Sequence, residues 1–396
     1  MGIFQEYIER RLPFSELVAE RKTYLRKISE IRGGRSILVY ASNFRVSDPA
    51  TSIWQEDLLP LADQLSNLGG SSLDVIIETP GGIGEVAEDM VRMIRNKFAD
   101  VAFIIPGFAK SAGTIIVMSG DDILMEPDSS LGPIDAQMSW QGKGFSAEAF
   151  IEGLNAIKTE VEENEKNNKK ATLNKAYIPI LQNISPGDIQ HASNAMEFAK
   201  NLVTQWLQNY KFRTWEHHKS TGDPVTEETK KRRANEIAKE LSNHSKWKTH
   251  GKSIKMSDLR EMGLRITDYS KDNALNDAIR RYYVLLNLFF EISPQTYKVI
   301  ETPISQIYRQ KSVGILKPME AANPKQADKA IIELTCEKCK NASKIQLNFK
   351  HGNPLDEGAL PYPSNDVFKC PFCGAEHNLT AIRQNVELQT GKGIVK

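Results

Sequence analysis

A chain of 396 residues, 40% hydrophobic and 26% charged, has the composition of an ordinary globular protein with room for two or three domains. Its formal net charge of +1 excludes a general pull toward nucleic acid or an anionic membrane surface. No run approaches the roughly 18 apolar residues of a membrane helix, and Met1-Gly2-Ile3-Phe4-Gln5-Glu6 leads into Arg10-Arg11 without the apolar core of a signal peptide. The expectation is a cytoplasmic chain.

In chain order, residues 5–32 read as a charged helical segment marked by Ile8, Leu12, Leu17, Tyr24, Leu25 and Ile28, with a break at Pro13 and an end at Gly33-Gly34. Residues 1–35 therefore form an N-terminal helical segment, packed on the outside of the core or on a neighbouring subunit. Ser36 to Ser42 is a first buried strand, 43–49 a loop, and Leu58 to Leu68 a helix closed by Gly69-Gly70. Two strand–turn–helix units follow. Leu73-Asp74-Val75-Ile76-Ile77 runs into Thr79-Pro80-Gly81-Gly82, and Val101-Ala102-Phe103-Ile104-Ile105 into Gly107-Phe108-Ala109-Lys110-Ser111-Ala112-Gly113. Between them Val86, Met90, Val91, Met93 and Ile94 recur at helical spacing. That order predicts βαβ crossovers and a largely parallel sheet.

The rest of the chain is plainer. Ile123-Leu124-Met125 reads as a short strand. Lys158 to Lys170 is a solvated helix end or loop, and Asn194 to Tyr210 an amphipathic helix. Residues 226–241 form a charged helix, and Tyr282 to Phe290 a core or interface segment. The main domain spans 36–300, a linker 301–330, with Pro318 and Pro324 in its clearest part, and a last domain 331–396.

All four cysteines fall in that last domain, as Cys336-Glu337-Lys338-Cys339 and Cys370-Pro371-Phe372-Cys373, thirty residues apart. Two such knuckles complete a tetrahedral Zn²⁺ shell with no position left for water. The expected site is structural zinc in a ribbon, in a reducing compartment. His377 is a competing ligand that four thiolates make unnecessary. Such a ribbon binds nucleic acid, binds protein, or only stabilises its domain; Lys338, Lys340, Lys344, Lys350, Lys369 and Arg383 give it a mildly basic face.

The chemistry of the main domain lies in its two turns. A Ser at a helix start, with glycines letting main chain approach, is placed to attack a carbonyl. N–H groups from both turns can hold the resulting oxyanion, at about 3–4 kcal/mol per donor in measured enzymes. Glu78-Thr79-Pro80-Gly81-Gly82, Ala109-Lys110-Ser111-Ala112-Gly113 and Ser130-Leu131-Gly132-Pro133-Ile134-Asp135 together resemble the Clp protease/crotonase superfamily. Within it they are most similar to the signal peptide peptidase A-type serine peptidases called serine dehydrogenase proteinase-like. The likeness covers roughly 20–290 and implies an α/β fold of repeated ββα/βαβ units beside the zinc ribbon. It also implies Ser111 as nucleophile and Gly82 and Ala112, with Gly81 as a third candidate, as the oxyanion hole. Clp proteases place a His about 25 residues after the Ser; here none lies between Ser111 and His191.

The signal peptide peptidase A pattern implies a Lys base instead, desolvated so that it can be neutral. Lys175 comes first, because Asn174-Lys175-Ala176 is followed by Ser185-Pro186 as in that family; Lys170, Lys158 and then Lys110 follow. His191, His217, His218, His244 and His250 read as surface or packing residues. A cytoplasmic serine endopeptidase acting on peptides or unfolded protein, assembled as a homo-oligomer and not on a membrane, is the first expectation. An inactive scaffold whose ribbon binds a protein or nucleic-acid partner is the second. Acyl-CoA chemistry with Glu85 or Glu88 as base is the third.

Overall fold

The computed structural model describes the chain except residues 1, 47, 141–142, 169–172, 219–220, 312–327, 381, 384–385, 387–391 and 396. In order, its elements begin with helices α1 (Ile3–Arg10) and α2 (Phe14–Ile31), strand β1 (Ser36–Ser42), helix α3 (Leu58–Ser66), strand β2 (Ser72–Glu78) and helix α4 (Gly84–Lys97). Strands β3 (Asp100–Ile105) and β4 (Phe108–Ala109), helix α5 (Ala112–Val117), and strands β5 (Asp122–Met125) and β6 (Ser130–Leu131) follow. Next come strands β7 (Gln137–Trp140) and β8 (Lys143–Ser146), then helices α6 (Ala147–Asn168), α7 (Ile178–Leu181), α8 (Pro186–Trp206), α9 (Glu227–Ser242), α10 (His244–Trp247) and α11 (Met256–Glu261). Strand β9 (Thr267–Asp268), helix α12 (Asn273–Ile292), and strands β10 (Thr296–Glu301), β11 (Gln306–Gln310), β12 (Lys329–Thr335), β13 (Ala342–Asn348), β14 (Ala359–Pro361), β15 (Val367–Lys369) and β16 (Glu376–Asn378) complete the chain.

These elements divide into two compact units. The larger comprises Thr23–Arg280 and Val299–Ile307. Its sheet contains β1-β2-β3-β5-β9 in that order, all paired in parallel. Strands covered on both faces need continuous apolar runs, which β1, β2 and β3 supply. The crossover α4 buries Val86, Ala87, Met90, Val91 and Ile94, the stripe its periodicity predicts. Register places Val75 beside Phe103 and Phe103 beside Ile123, so the turns after β2 and β3 leave the same edge of the sheet. At the opposite edge the buried Asp74 takes Arg32 at 2.6 Å and Arg35 at 2.5 Å, which offsets the cost of enclosing a carboxylate.

The smaller unit comprises Met1–Lys22, Arg281–Lys298 and Tyr308–Lys396. Its C-terminal part pairs β12 with β13 antiparallel, β14 with β13 parallel, and β15 with β16 antiparallel. Ile332, Ile345, Leu347, Phe368 and Leu379 form its core.

Several expectations change in detail. Pro13 does separate two helices, and α2 buries its apolar marks Leu17, Leu25 and Ile28. Most of 158–170 is the last, exposed half of α6; residues 169–170 lie outside the described residues. Within 301–330, read as linker, residues 306–310 are strand β11, because Thr302 N–H closes a tight turn on Ser305 O at 2.9 Å. Residues 312–327, the clearest linker composition, lie outside the described residues. Tyr282, Leu285, Leu286, Phe289 and Phe290 are core.

Candidate active site and candidate metal centre

The two glycine-containing turns are clamped together by main chain. Thr79 N–H donates to Phe108 O at 3.1 Å, and Lys110 N–H to Thr79 O at 3.0 Å. Gly113 has no side chain because one would stand 2.4 Å from Thr79 Cγ2. Thr114 Oγ1 donates to Ala109 O and accepts from Gly132 N–H, at 2.7 and 2.9 Å, which joins the loop after β6 to the same cluster.

Ser111 sits at the crest of this clamp with φ +50° and ψ −119°, a conformation that side chains rarely adopt. It costs on the order of 1–3 kcal/mol and persists where surrounding structure over-determines it. Here the surroundings are visible. Gly113 N–H donates to Lys110 O at 2.8 Å, and Ile115 N–H to Ser111 O at 3.1 Å. Gly81 lies flat against the crest: a Cβ there would be 2.6 Å from Ser111 Cβ and 3.3 Å from Ala112 N. A strained Ser between a strand and a helix is the geometry that presents a nucleophilic hydroxyl.

Oxyanion donors can be sorted by what they already bond. Gly81 N–H is taken by Thr79 Oγ1 at 3.2 Å, so the third of the expected donors is occupied. Gly81 O accepts from Ile53 N–H at 2.7 Å, and Ile83 N–H donates to Ile53 O at 3.1 Å. Gly82, at φ +152°, lies between these bonds, with Ile53 main chain where a side chain would go. The N–H groups of Gly82 and Ala112 have no hydrogen-bond partner among the described residues. They remain the two available donors.

The expected bases fare differently. Lys175 is exposed in a single turn of 3-10 helix, Lys175–Tyr177, capped by Asn174, with no hydrogen bond or ion pair to the Ser111 turn among the described residues. Ser185-Pro186 opens α8 as a capping box with Asp188. Lys158 pairs with Glu162 on the exposed face of α6, and Lys170 lies outside the described residues. Lys110 turns away from Ser111: its Nζ donates to Leu131 O, Ser253 Oγ and Lys252 O at 2.8, 3.0 and 3.2 Å. Burial, helped by the like charge of Lys255, pulls the Lys110 pKa down to about 8.

The sequence reading missed a third arrangement. Asp135, 3% exposed, takes His250 Nδ1 on one carboxylate oxygen at 2.6 Å and His244 Nδ1 on the other at 3.0 Å. Burial works against its charge, but the imidazoles, His250 foremost, hold its pKa below the ordinary value. Facing an ionised carboxylate, Nδ1 is the donor, so Nε2 of a neutral ring carries the lone pair. Both imidazoles are about one-quarter exposed. Their segment reaches the Ser111 turn: Leu131 and Ile254 form an antiparallel bridge, Lys252 O and Ser253 Oγ hold Lys110, and Gly132 abuts Lys110 Cα. The dyad is assembled across 115 residues of sequence, so no local spacing announces it.

In the smaller unit the thiols of Cys336, Cys339, Cys370 and Cys373 lie within 4.8 Å of one another and form no disulfide. The Cys336–Cys373 and Cys339–Cys370 sulfur distances are 3.6 and 3.7 Å. Thiolates on tetrahedral corners about 2.3 Å from Zn²⁺ stand about 3.8 Å apart, so this donor set fits the ion. Each knuckle is a hairpin turn, the first between β12 and β13 and the second between β15 and β16. Lys340 N–H returns to Cys336 O at 2.8 Å, and Gly374 N–H to Cys370 O at 2.9 Å. Both residues are left-handed, at φ +61° and +71°, although only the second is glycine. His377 Nε2 is 3.3 Å from Cys336 Sγ, the place of a partner to the thiolate and not of a fifth ligand.

Residues 66–210 match the family described as ClpP-like SDH-type serine proteinase. Two uncharacterized proteins of Methanocaldococcus jannaschii are similar in sequence. MJ1495 is 26% identical over 217 residues, 55% of this chain and 56% of that protein. MJ0137 is 36% identical over 66 residues, 17% of this chain and 23% of that protein. The chain thus spans about half the length of the first and under a quarter of the second. Among solved structures, a variant of the 1510-N membrane-bound stomatin-specific protease is 13% identical with a TM-score of 0.31, covering 57% of this chain and 79% of that one. ClpP1 from Listeria monocytogenes is 12% identical with a TM-score of 0.28, covering 54% and 83%. The fold is of the expected mixed α/β class with a small strand-built four-cysteine domain, and its residues 66–210 are those that match a ClpP-like family. No helix among the described residues is long and apolar enough to cross a membrane.

Proposed function

We propose, from the ClpP-like SDH-type serine proteinase family matched by its residues 66–210, that this chain is a serine peptidase. The observation that carries the reading is the strained Ser111, with Gly81 packed against it and the N–H groups of Gly82 and Ala112 left over. Ser111 Oγ attacks a peptide carbonyl, the two amides hold the oxyanion, and an acyl-enzyme forms as the amine leaves. Water then releases the acid. Phe44 and Trp54 are exposed beside the turn, Phe44 edge-on to Phe108 at 5.2 Å and Trp54 next to Ile53, which suits a peptide with apolar side chains. An extended substrate would lie along this sheet edge. Free, clustered thiols suit a reducing compartment, and we place the chain in the cytoplasm as a homo-oligomer.

For the proton of Ser111 we favour His250. Its Nδ1 is fixed by the buried Asp135, which orients the ring and stabilises the imidazolium. Nε2 takes the proton from Ser111 and gives it to the leaving amine. Lys175, the base the family resemblance implies, is exposed in the single chain and would have to be covered, for instance by a second copy, to be neutral.

The test is fluorophosphonate labelling of the purified oligomer, with Ser111→Ala, His250→Ala, Asp135→Asn and Lys175→Ala alongside. Labelling should vanish in Ser111→Ala and fall by about 100-fold or more in His250→Ala, in keeping with the loss of a general base. It should fall less in Asp135→Asn and stay unchanged in Lys175→Ala. Loss in Lys175→Ala with retention in His250→Ala would move the base to Lys175. A folded, metal-loaded oligomer that takes no label at Ser111 would favour the scaffold.

A further inference from the structure

One cleft of the larger unit has no residue of the Ser111 turn in its lining. It has a volume of about 1130 Å³, the size class of small-ligand sites, and is open on one side. Five cationic side chains reach it, Lys211, Arg232, Arg233, Arg260 and Arg265, against only two carboxylates, Glu216 and Glu236.

Not all of these cations are available. Lys211, its side chain 4% exposed, is paired with Asp122 at 3.1 Å, and Arg233 with Glu236 at 2.8 Å. Arg233 is also built in: Gly263, at φ +81°, has no side chain because one would meet its guanidinium at 2.6 Å. Arg260 donates to Ile266 O at 3.1 Å, and the side chains of Arg232 and Arg265 have no hydrogen-bond or carboxylate partner among the described residues. Burial pulls the Lys211 pKa down against the pairing with Asp122, and the positive character of the cleft comes from its lining, five cations against two carboxylates. Beside the guanidinium groups stands an aromatic corner. Phe212 meets Trp215 edge-on at 5.4 Å, and Trp215 meets His218 edge-on at 5.2 Å. The half-buried Trp215 indole offers a planar surface at the cleft wall.

Unpaired guanidinium groups suit phosphate oxygens, which they bind in bidentate fashion, and an indole suits a planar heterocycle. We propose that this cleft binds a nucleoside polyphosphate, with Arg232 and Arg265 on the phosphates and Trp215 against the base. An acidic peptide would satisfy the charges but leave the aromatic corner without a use. The proposal does not rest on Ser111 being catalytic.

The experiment is calorimetric titration of the full-length, metal-loaded protein with adenosine triphosphate, inorganic tripolyphosphate, adenosine and a short oligoglutamate peptide. Saturable binding of the triphosphate is expected, weaker binding of tripolyphosphate and none of adenosine. Arg232→Glu with Arg265→Glu, both at exposed positions, should weaken the triphosphate by about tenfold or more. Trp215→Ala should weaken the triphosphate while leaving tripolyphosphate unchanged, a split that general unfolding would not produce. No saturable heat with the triphosphate, binding that survives the double charge reversal, or oligoglutamate binding as tightly as the triphosphate would each overturn the proposal. Fluorophosphonate labelling of the same variants keeps the two readings separate.

Discussion

The four-cysteine cluster and the Ser111 turn differ in where their geometry comes from. In the cluster, two residues between each pair of cysteines bring two thiols to one side of a hairpin turn, and only one long-range step joins the two hairpins. At Ser111 almost every determinant is distant in sequence. Gly81 and Ile53 shape the turn from outside, and Lys110 fastens it to Leu131, Lys252 and Ser253, in the segments that carry Asp135 and His250. A site built from local spacing can be read directly, whereas one built from tertiary closure shows only its most local part. That part was Ser111 between a β-branched run and a helix, with two glycines in the neighbouring turn.

The largest effect should separate the two regions. Structural zinc sites in small domains contribute about 10–16 kcal/mol of apparent binding free energy, as much as the whole stability of a typical domain. Removing the metal with a strong chelator, or replacing Cys370 by Ser, should therefore abolish hydrogen-exchange protection in β12, β13 and β15. Elemental analysis should find one zinc per chain before treatment. Protection that persists without metal would mean that Ile332, Ile345, Leu347 and Phe368 suffice as a core, and the contrast between the two regions would collapse.

A middle-sized effect probes the turn. Gly81→Ala places a methyl carbon 2.6 Å from Ser111 Cβ and 2.7 Å from Lys110 O, at φ +103°. Fluorophosphonate labelling should fall by about 100-fold or more, because misplacement of about 1 Å costs that much in pre-organised sites. Gly34→Ala is the control: its φ is +80°, but a side chain there meets nothing within 4 Å. It should cost about 1 kcal/mol of stability for its backbone conformation and leave labelling intact. Equal loss in both variants would show that labelling follows stability and not the packing of Gly81 on Ser111.

The same contrast explains what the sequence made legible. Strands β1, β2 and β3 and helix α4 were evident because sheet burial and helical periodicity are local patterns. Lys340 was not, since nothing marks a lysine as left-handed until its knuckle is laid over that of Gly374. His244 and His250 looked scattered because the carboxylate that gathers them is more than 100 residues away. Arg232 lies in a helix legible only as charged, and only the fold brings it to one cleft with Arg260 and Arg265. Lys175 carries a family spacing, and in the single chain it stands exposed, without the burial that a neutral Lys needs.

The smallest effect concerns Lys110, which fastens the Ser111 turn to the segment that carries His250. Its folded pKa of about 8 lies below the ordinary Lys value of about 10.4. Between these two pH values the unfolded chain holds a proton that the folded chain has shed, so stability rises with pH across that window. Below pH 8 the burial cost is present in full and constant. Denaturant midpoints of the wild type and Lys110→Met, compared from pH 7 to 10.5, should therefore diverge in favour of the wild type only above pH 8. The divergence will be modest, since the Lys110 side chain is only partly buried. A flat difference would mean that Leu131 O, Lys252 O and Ser253 Oγ repay the burial of the ammonium completely, leaving Lys110 a plain tether whose charge the fold does not disturb.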